Sequence, residues 1–321
     1  MEIEEVDARS ASDEVLARFH ALEAACHAEL PAGEPSRSLG EVIAFHRHLP
    51  STQTNCHWLA DGGMAAIYVH GPTAAFLELR VEPARRRRRL GTALLDRAVG
   101  RSRELGVEAL RSVHSTPAGA AFAGAVGARN EQRIVRSLLK LRTAELVDPI
   151  PPAGFRLVTW VGRVPEEHLA SYVRARMAMD DAPAPEGMDF PAWTAEKVRA
   201  SEESLEQRDR EMRLTVAINT DGEIAAFTEL RVSRGSTLGF TDDTGTVSAE
   251  RGKGLARAVK LESLRRLRTD HPEVDVVTTA NAEENEVMRH LNESIGFRPS
   301  LVETLAVIDL GRAAQTSGNP R

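Results

Sequence analysis

The sequence predicts an α/β protein built as two tandem copies of one mixed domain, and three observations predict it. A β-type stretch that leads into a basic loop and then an apolar-periodic helix occurs twice, at 79–95 and at 244–259. Each copy then ends on a helix closed by glycine, Gly127 or Gly296, followed by an apolar stretch at 134–141 or 301–310. Between the copies lies a proline-rich join, Asp148-Pro149-Ile150-Pro151-Pro152-Ala153-Gly154, which is stiff and disfavours helix. The loops are 165 positions apart (Arg86 to Arg251) and the closing glycines 169 (Gly127 to Gly296), so two independent landmarks agree on a duplication.

The expected organisation is therefore an N-terminal domain at 1–148, a linker at 149–153, a C-terminal domain at 154–310 and a frayed polar tail at 311–321. A length of 321 residues suits two domains of ordinary size, and 42% apolar with 27% charged residues is the balance of a globular chain. Aromatics make up only 4%, so the cores must be aliphatic.

A net charge of −6 argues against a general nucleic-acid binder, which needs an excess of cations to neutralise phosphates. Cys26 and Cys56 lack metal-ligand spacing and read as reduced thiols; no metal site is expected. With an acidic N-terminus and no apolar run of about 20 residues, the expectation is a cytoplasmic protein without a membrane segment.

Within the first copy, Ser12 is a plausible N-cap for a helix over 13–26, with a second helix over 39–48 and a strand over 64–69 closed by Gly71-Pro72. Within the second, 166–179 and 192–210 read as helices. Stretches 214–218 and 224–232 form a hairpin through Asn219-Thr220-Asp221-Gly222, whose Asp-Gly pair is a strong turn signal. Alternating strands and helices around a strand-loop-helix crossover imply a layered α/β domain.

The most chemically specific stretch is Arg251-Gly252-Lys253-Gly254-Leu255-Ala256. Between a strand and a helix, its amide groups can converge at the helix N-terminus, where unpaired donors and the positive dipole end favour a phosphate. Gly252 and Gly254 permit positive φ and close approach of a ligand to the backbone. Neither GxxxxGK[ST] nor GxGxxG is present.

The loop resembles the Arg/Gln-x-x-Gly-x-Gly/Ala signature of the GCN5-related N-acetyltransferases (GNAT). Downstream, Thr278-Thr279-Ala280-Asn281 leads through Asn285 and a helix to Ile295-Gly296-Phe297, similar to that family's second motif. The resemblance covers nearly the whole chain, most specifically 241–298, with a tandem arrangement like that of mycothiol synthase-like proteins. It implies two domains, each a mixed, mostly antiparallel twisted sheet with flanking helices.

It further implies acetyl-CoA as co-substrate, held by Thr246, Val247, Arg251, Gly252, Lys253, Gly254, Leu255 and Ala256, with Asn281 or Asn285 on the pantetheine arm or the substrate. Asn281 and Asn285 also suit plain helix capping. In the first copy, Val81 and then Arg86, Arg87, Arg88, Arg89 and Gly91 follow the pattern, but Arg89 stands where the signature has its first glycine, and Ser115-Thr116-Pro117 replaces the Asn motif. That loop is either the remnant of a degenerate site or a second cofactor site, and the C-terminal copy is expected to be the active one.

The resemblance implies direct attack of a primary amine on the thioester, with backbone N–H groups near Thr246 and Val247 at the oxyanion. Where the family has its acidic tyrosine this chain has Asn292, which donates a hydrogen bond but supplies no proton at neutral pH. Asp243 and Glu229 are the candidate bases, against the alternative that they are solvated strand carboxylates. The acidic stretch from Met177 to Glu186 suits a small cationic amine acceptor. The remaining alternatives are a non-catalytic acyl-CoA sensor or a mycothiol synthase-like enzyme, as monomer or homodimer.

Overall fold

A computed structural model describes residues 2–31, 36–49, 53–70, 73–181 and 192–311. Gly71-Pro72, the end of the acidic stretch after residue 181 and the tail beyond residue 311 lie outside them.

In chain order the elements are β1 (Ile3–Val6), α1 (Asp13–His27), α2 (Leu39–Arg47), β2 (Asn55–Ala60), β3 (Gly63–His70), β4 (Ala74–Val81), α3 (Leu90–Glu104), β5 (Ala109–His114), α4 (Pro117–Ala125) and β6 (Arg129–Lys140). They continue with β7 (Phe155–Val161), α5 (Glu166–Arg176), α6 (Ala195–Gln207), β8 (Arg210–Asn219), β9 (Ile224–Ser233), β10 (Leu238–Thr246), α7 (Leu255–Asp270), β11 (Val276–Ala282), α8 (Glu286–Ile295) and β12 (Arg298–Asp309). Local signals account for many boundaries. The Ser12 side chain accepts from Val15 N, Ser38 and Glu41 form a reciprocal capping box on α2, and Thr194 caps α6. The β8–β9 hairpin turns at Gly222 with φ +83°.

Each half opens with a strand, β1 or β7, that the periodicity reading omits. Ile3-Glu4-Glu5-Val6 is too short and too acidic to show alternation, and only pairing with β2 makes it a strand.

The two compact units are not continuous in sequence. Unit 1 comprises Met1–Ala32, Ser36–Arg133 and Glu303–Arg321, and unit 2 is essentially Ile134–Val302. In unit 1 the strands run β1-β2-β3-β4-β5-β12, antiparallel except for the parallel pair β4–β5. In unit 2 they run β7-β8-β9-β10-β11-β6, antiparallel except for β10–β11.

Each unit thus takes its last strand from the other half: Ile134 to Lys140 of β6 pair with β11, and Thr304 to Asp309 of β12 pair with β5. This differs from the expected contiguous domains at 1–148 and 154–310. Leu141 and Leu146, in the stretch before the prolines, pack in the unit 2 core, and Arg265 donates to the Leu146 carbonyl.

In unit 1, α3 covers one sheet face through Leu90, Leu94 and Ala98 against Trp58, Ile67 and Leu77. Helices α1 and α2 cover the other, with Leu16, Phe19 and Val42 against Leu59 and Met64. Unit 2 repeats the plan, with Leu264 and Leu267 of α7 under Leu230 and Val277, and Leu169 and Tyr172 of α5 against Leu214 and Phe227. Cys26 and Cys56 are both free.

The α1/α2 side of unit 1 encloses two histidines, His46 and His57, with ring centroids 5.1 Å apart among Phe19, Phe45 and Tyr68. Burial lowers each from 6.5 to about 4, against the opposing pull of Glu78. For His46, His57 and Arg37 push the same way as burial; Asp7 and Arg9 act on His57 in opposite senses. A histidine buried neutral contributes stability that is full above the unfolded value and is lost as the pH falls towards the folded one. Urea midpoints are expected to drop between pH 6.5 and about 4, by on the order of 3 kcal/mol for one ring. His46→Leu is expected to flatten that acid limb while leaving stability at pH 8 close to wild type.

Candidate active site

In unit 2 the parallel pairing of β10 with β11 runs only from Leu238–Val276 to Thr241–Thr279. Beyond it a bulge between Thr241 and Thr244 displaces β10, and the two strands part. Beyond β10 a single 3₁₀ turn, Ser248–Glu250, leads into the loop, and Gly254 caps α7 in the left-handed conformation at φ +78°.

The two basic loops superpose element by element in sequence terms. Arg251 Nε donates to Thr246 O at 3.2 Å, and Arg86 Nε to Val81 O at 3.0 Å. Gly252 and Gly254 have φ +78°, and the matching Arg87 and Arg89 have φ +61° and +64°. The chain adopts one loop conformation twice, although a non-glycine residue in that region costs roughly 1–2 kcal/mol.

At Gly252 and Gly254 a built Cβ meets nothing within 4 Å, so the space before the helix N-terminus is open. Lys253 binds Glu250 at 2.5 Å and lies over the Phe155 ring. Leu255 is buried as the first core residue of α7, and Ala256 follows it on the half-buried first turn. In unit 1, Arg86 is held by Glu29, whereas Arg87, Arg88 and Arg89 have no ion-pair partner among the described residues. Gly91 packs within 3.3 Å (from a built Cβ) of the Phe122 ring. An open helix N-terminus lined by amides and cations fits a diphosphate.

Asn281 and Asn285 separate in role. Asn285 caps α8, accepting from Met288 N at 3.2 Å, as Thr116 caps α4 in unit 1. Asn281 is not a cap: its Oδ1 accepts from Asn292 Nδ2 at 2.7 Å, which brings the residue in the tyrosine position onto β11. Asn292 is buried and its Oδ1 has no partner.

Asp243 and Glu229 do come together, but around a residue that the periodicity reading did not single out. Arg176, at the end of α5 and only 3% exposed, forms ion pairs with both carboxylates. Tyr172, one turn earlier, donates to Glu229 Oε1, and the Arg176 guanidinium sits 3.6 Å over the Trp193 ring. Burial holds the Glu229 carboxyl above the usual carboxylate range, against the pull of Arg176. Burial likewise pushes the Tyr172 phenol well up. The Asp243 side chain is 40% exposed, so of the two carboxylates it is the one open to solvent. The i, i+4 spacing of Tyr172 and Arg176 on an otherwise apolar helix face was the available signal. Among the described residues no cluster of three or more His, Cys, Asp or Glu is placed to hold a metal ion.

Two copies of an α/β sheet with a parting parallel pair, each followed by a basic loop on a helix N-terminus, fit the architecture of acyl-CoA-dependent transferases. The family model for the acetyltransferase (GNAT) family matches residues 20–123. The mycothiol acetyltransferase of Nocardia farcinica is 27% identical over 238 residues, covering 72% of this chain and 73% of that protein. A solved tandem GNAT protein from the clavulanic acid biosynthesis pathway aligns over 97% of this chain and 99% of its own, with a TM-score of 0.80 and 25% identity. A GCN5-related N-acetyltransferase from Sphaerobacter thermophilus shares the fold, with a TM-score of 0.75 at 18% identity over 96% of both chains. The chain is thus similar to GNAT acetyltransferases, to the family model over residues 20–123 and to a tandem GNAT protein along nearly its whole length. Among the described residues no helix is long and apolar enough to cross a membrane.

Removing the buried guanidinium should leave Glu229 without its counter-charge. Arg176→Leu is expected to cost about 3–5 kcal/mol in urea unfolding. Adding Glu229→Leu should recover most of that loss, because both charges then leave the interior together.

Proposed function

We propose that the protein transfers an acetyl group from acetyl-CoA to the primary amine of a small molecule, and that unit 2 carries the reaction. The observation that carries this reading is the pair of left-handed glycines, Gly252 and Gly254, with open space beside both. Amides from 251–256 and the side chains of Arg251 and Lys253 would hold the diphosphate, and Asn281 the pantetheine arm. Bound there, acetyl-CoA supplies the activated acyl carbon.

The nitrogen bonds to that carbon as the carbon–sulfur bond breaks. Thr246 presents its amide to the developing oxyanion; the Val247 amide, expected to do the same, instead donates to Ala225 O at 2.9 Å. Asp243, the half-exposed carboxylate, takes the proton from the attacking amine, while Glu229 stays tied to Tyr172 and Arg176. The paired carboxylates also suit a cationic acceptor. The acceptor of the mycothiol acetyltransferase relative is one candidate class of amine.

A second reading has its own support. The family model matches residues 20–123, and the unit 1 loop keeps the same backbone with three arginines that have no ion-pair partner among the described residues. On that reading, unit 1 also binds a CoA diphosphate, through Arg87, Arg88 and Arg89.

Calorimetry with CoA separates the two. Gly254→Arg is expected to abolish binding at unit 2, while Arg89→Gly should not reduce it; the opposite pattern would move the active site to unit 1. The Arg89 backbone shows that arginine tolerates this conformation, so a loss in Gly254→Arg reports crowding and not unfolding.

Thioester consumption with a panel of small amines tests the chemistry. Asp243→Asn is expected to slow turnover by about 10²-fold with acetyl-CoA affinity unchanged. CoA binding without turnover on any amine would instead make the protein a sensor.

A further inference from the structure

Strand β10 has chemically different faces where it leaves β11. Gly245 looks towards α5: a Cβ built there would lie 2.7 Å from Phe227 and 3.5 Å from Ala178. Asp243 and Glu229 meet Arg176 on this side. Thr244 looks the other way, towards α7, and its hydroxyl lies 3.5 Å from Lys260 Nζ and 2.8 Å from the Thr228 hydroxyl.

Lys260 is 2% exposed, on the core-facing stripe that continues through Leu264 and Leu267. Three N–H donors share one long hydrogen bond and the face of Phe297 at 5.7 Å, and no carboxylate among the described residues pairs with it. Such a group is expensive to bury without a polar or anionic partner. Ser263 Oγ, one turn along α7, and Asn292 Oδ1 on α8 are likewise buried without partners. These three groups lie on the α7/α8 side of the sheet, opposite the carboxylates that meet Arg176.

We propose that Lys260 is the acid of the transfer reaction, protonating the thiolate that departs towards the α7/α8 side. This rests on the reading that unit 2 binds acetyl-CoA. Thr244 is two residues from Thr246, roughly 7 Å along the strand, which puts the ammonium within reach of a thioester whose oxyanion faces the Thr246 amide. As the carbon–sulfur bond breaks, its electron pair goes to sulfur, and sulfur takes a proton from Nζ. The amine's own proton goes to the carboxylate side, and neutral Lys260 regains a proton from solvent after CoA leaves. Burial lowers the Lys260 ammonium from 10.5 to about 7, which suits donation to a thiolate near neutral pH. Asn292, in the tyrosine position, cannot do this.

The test compares CoA with desulfo-CoA by calorimetry in wild type, Lys260→Met and Gly254→Arg, and adds turnover of acetyl-CoA with the amine panel. Wild type is expected to bind CoA about tenfold more tightly than desulfo-CoA. Lys260→Met should erase that ratio, keep desulfo-CoA affinity and slow turnover by about 10²-fold. Its urea midpoint should not fall, since methionine fills the same apolar slot. A wild-type ratio near one, a ratio preserved in Lys260→Met, or undiminished turnover in that variant overturns the proposal. Gly254→Arg should lose both ligands equally. If it binds both as wild type does, or if wild type binds neither, the unit 2 site itself is wrong and Lys260 falls with it.

Discussion

Hydrogen bonding between β10 and β11 stops at Thr241 and Thr279, and the bulge that follows turns β10 away from its neighbour. A parallel pair that closed along its whole length would tie the Thr246 amide into a ladder. Because it parts, that donor is left beside the loop, whereas the Val247 amide is taken by Ala225 O. The bulge also sets which residues look to which side: Asp243 to the buried arginine of α5, Thr244 to the lysine of α7. In unit 1, β4 and β5 pair only from Ala74–Ala109 to Phe76–Arg111, so the same opening is built twice.

The loop that follows imposes a second constraint. Two of its residues must take the left-handed conformation for the chain to turn from strand to helix N-terminus. Glycine does this freely at 252 and 254. Arginine does it at 87 and 89 against steric cost, which the helix dipole and neighbouring packing must offset. One backbone thus carries two different surfaces, an open cradle in unit 2 and a cationic one in unit 1.

Much of this was legible in local sequence. The cap at Ser12, the Asp-Gly turn of the β8–β9 hairpin and the closing glycines Gly127 and Gly296, both at positive φ, are choices made over a few residues. The loop could be read because its residue types answer a conformational demand. The first strand of the chain was not legible, since four residues with two acids have no periodicity to detect. Arg176 looked like one more arginine in an arginine-rich chain. Lys260 is one of only four lysines, and its place on the apolar stripe of α7 sets it apart.

By itself, then, the sequence determined the duplication, the two loops with their unequal glycines and the class of chemistry they imply, because each follows from local conformational preference. Tertiary structure decided which strand completes which sheet. The β5 and β11 edges are near-equivalent after a duplication, so no local pattern tells β6 or β12 which to join, and only packing of the full chain selects the exchanged arrangement. It also decided that Glu229 and Asp243 share one buried guanidinium and that Lys260 has none of their charge near it, since these are relations between residues tens of positions apart.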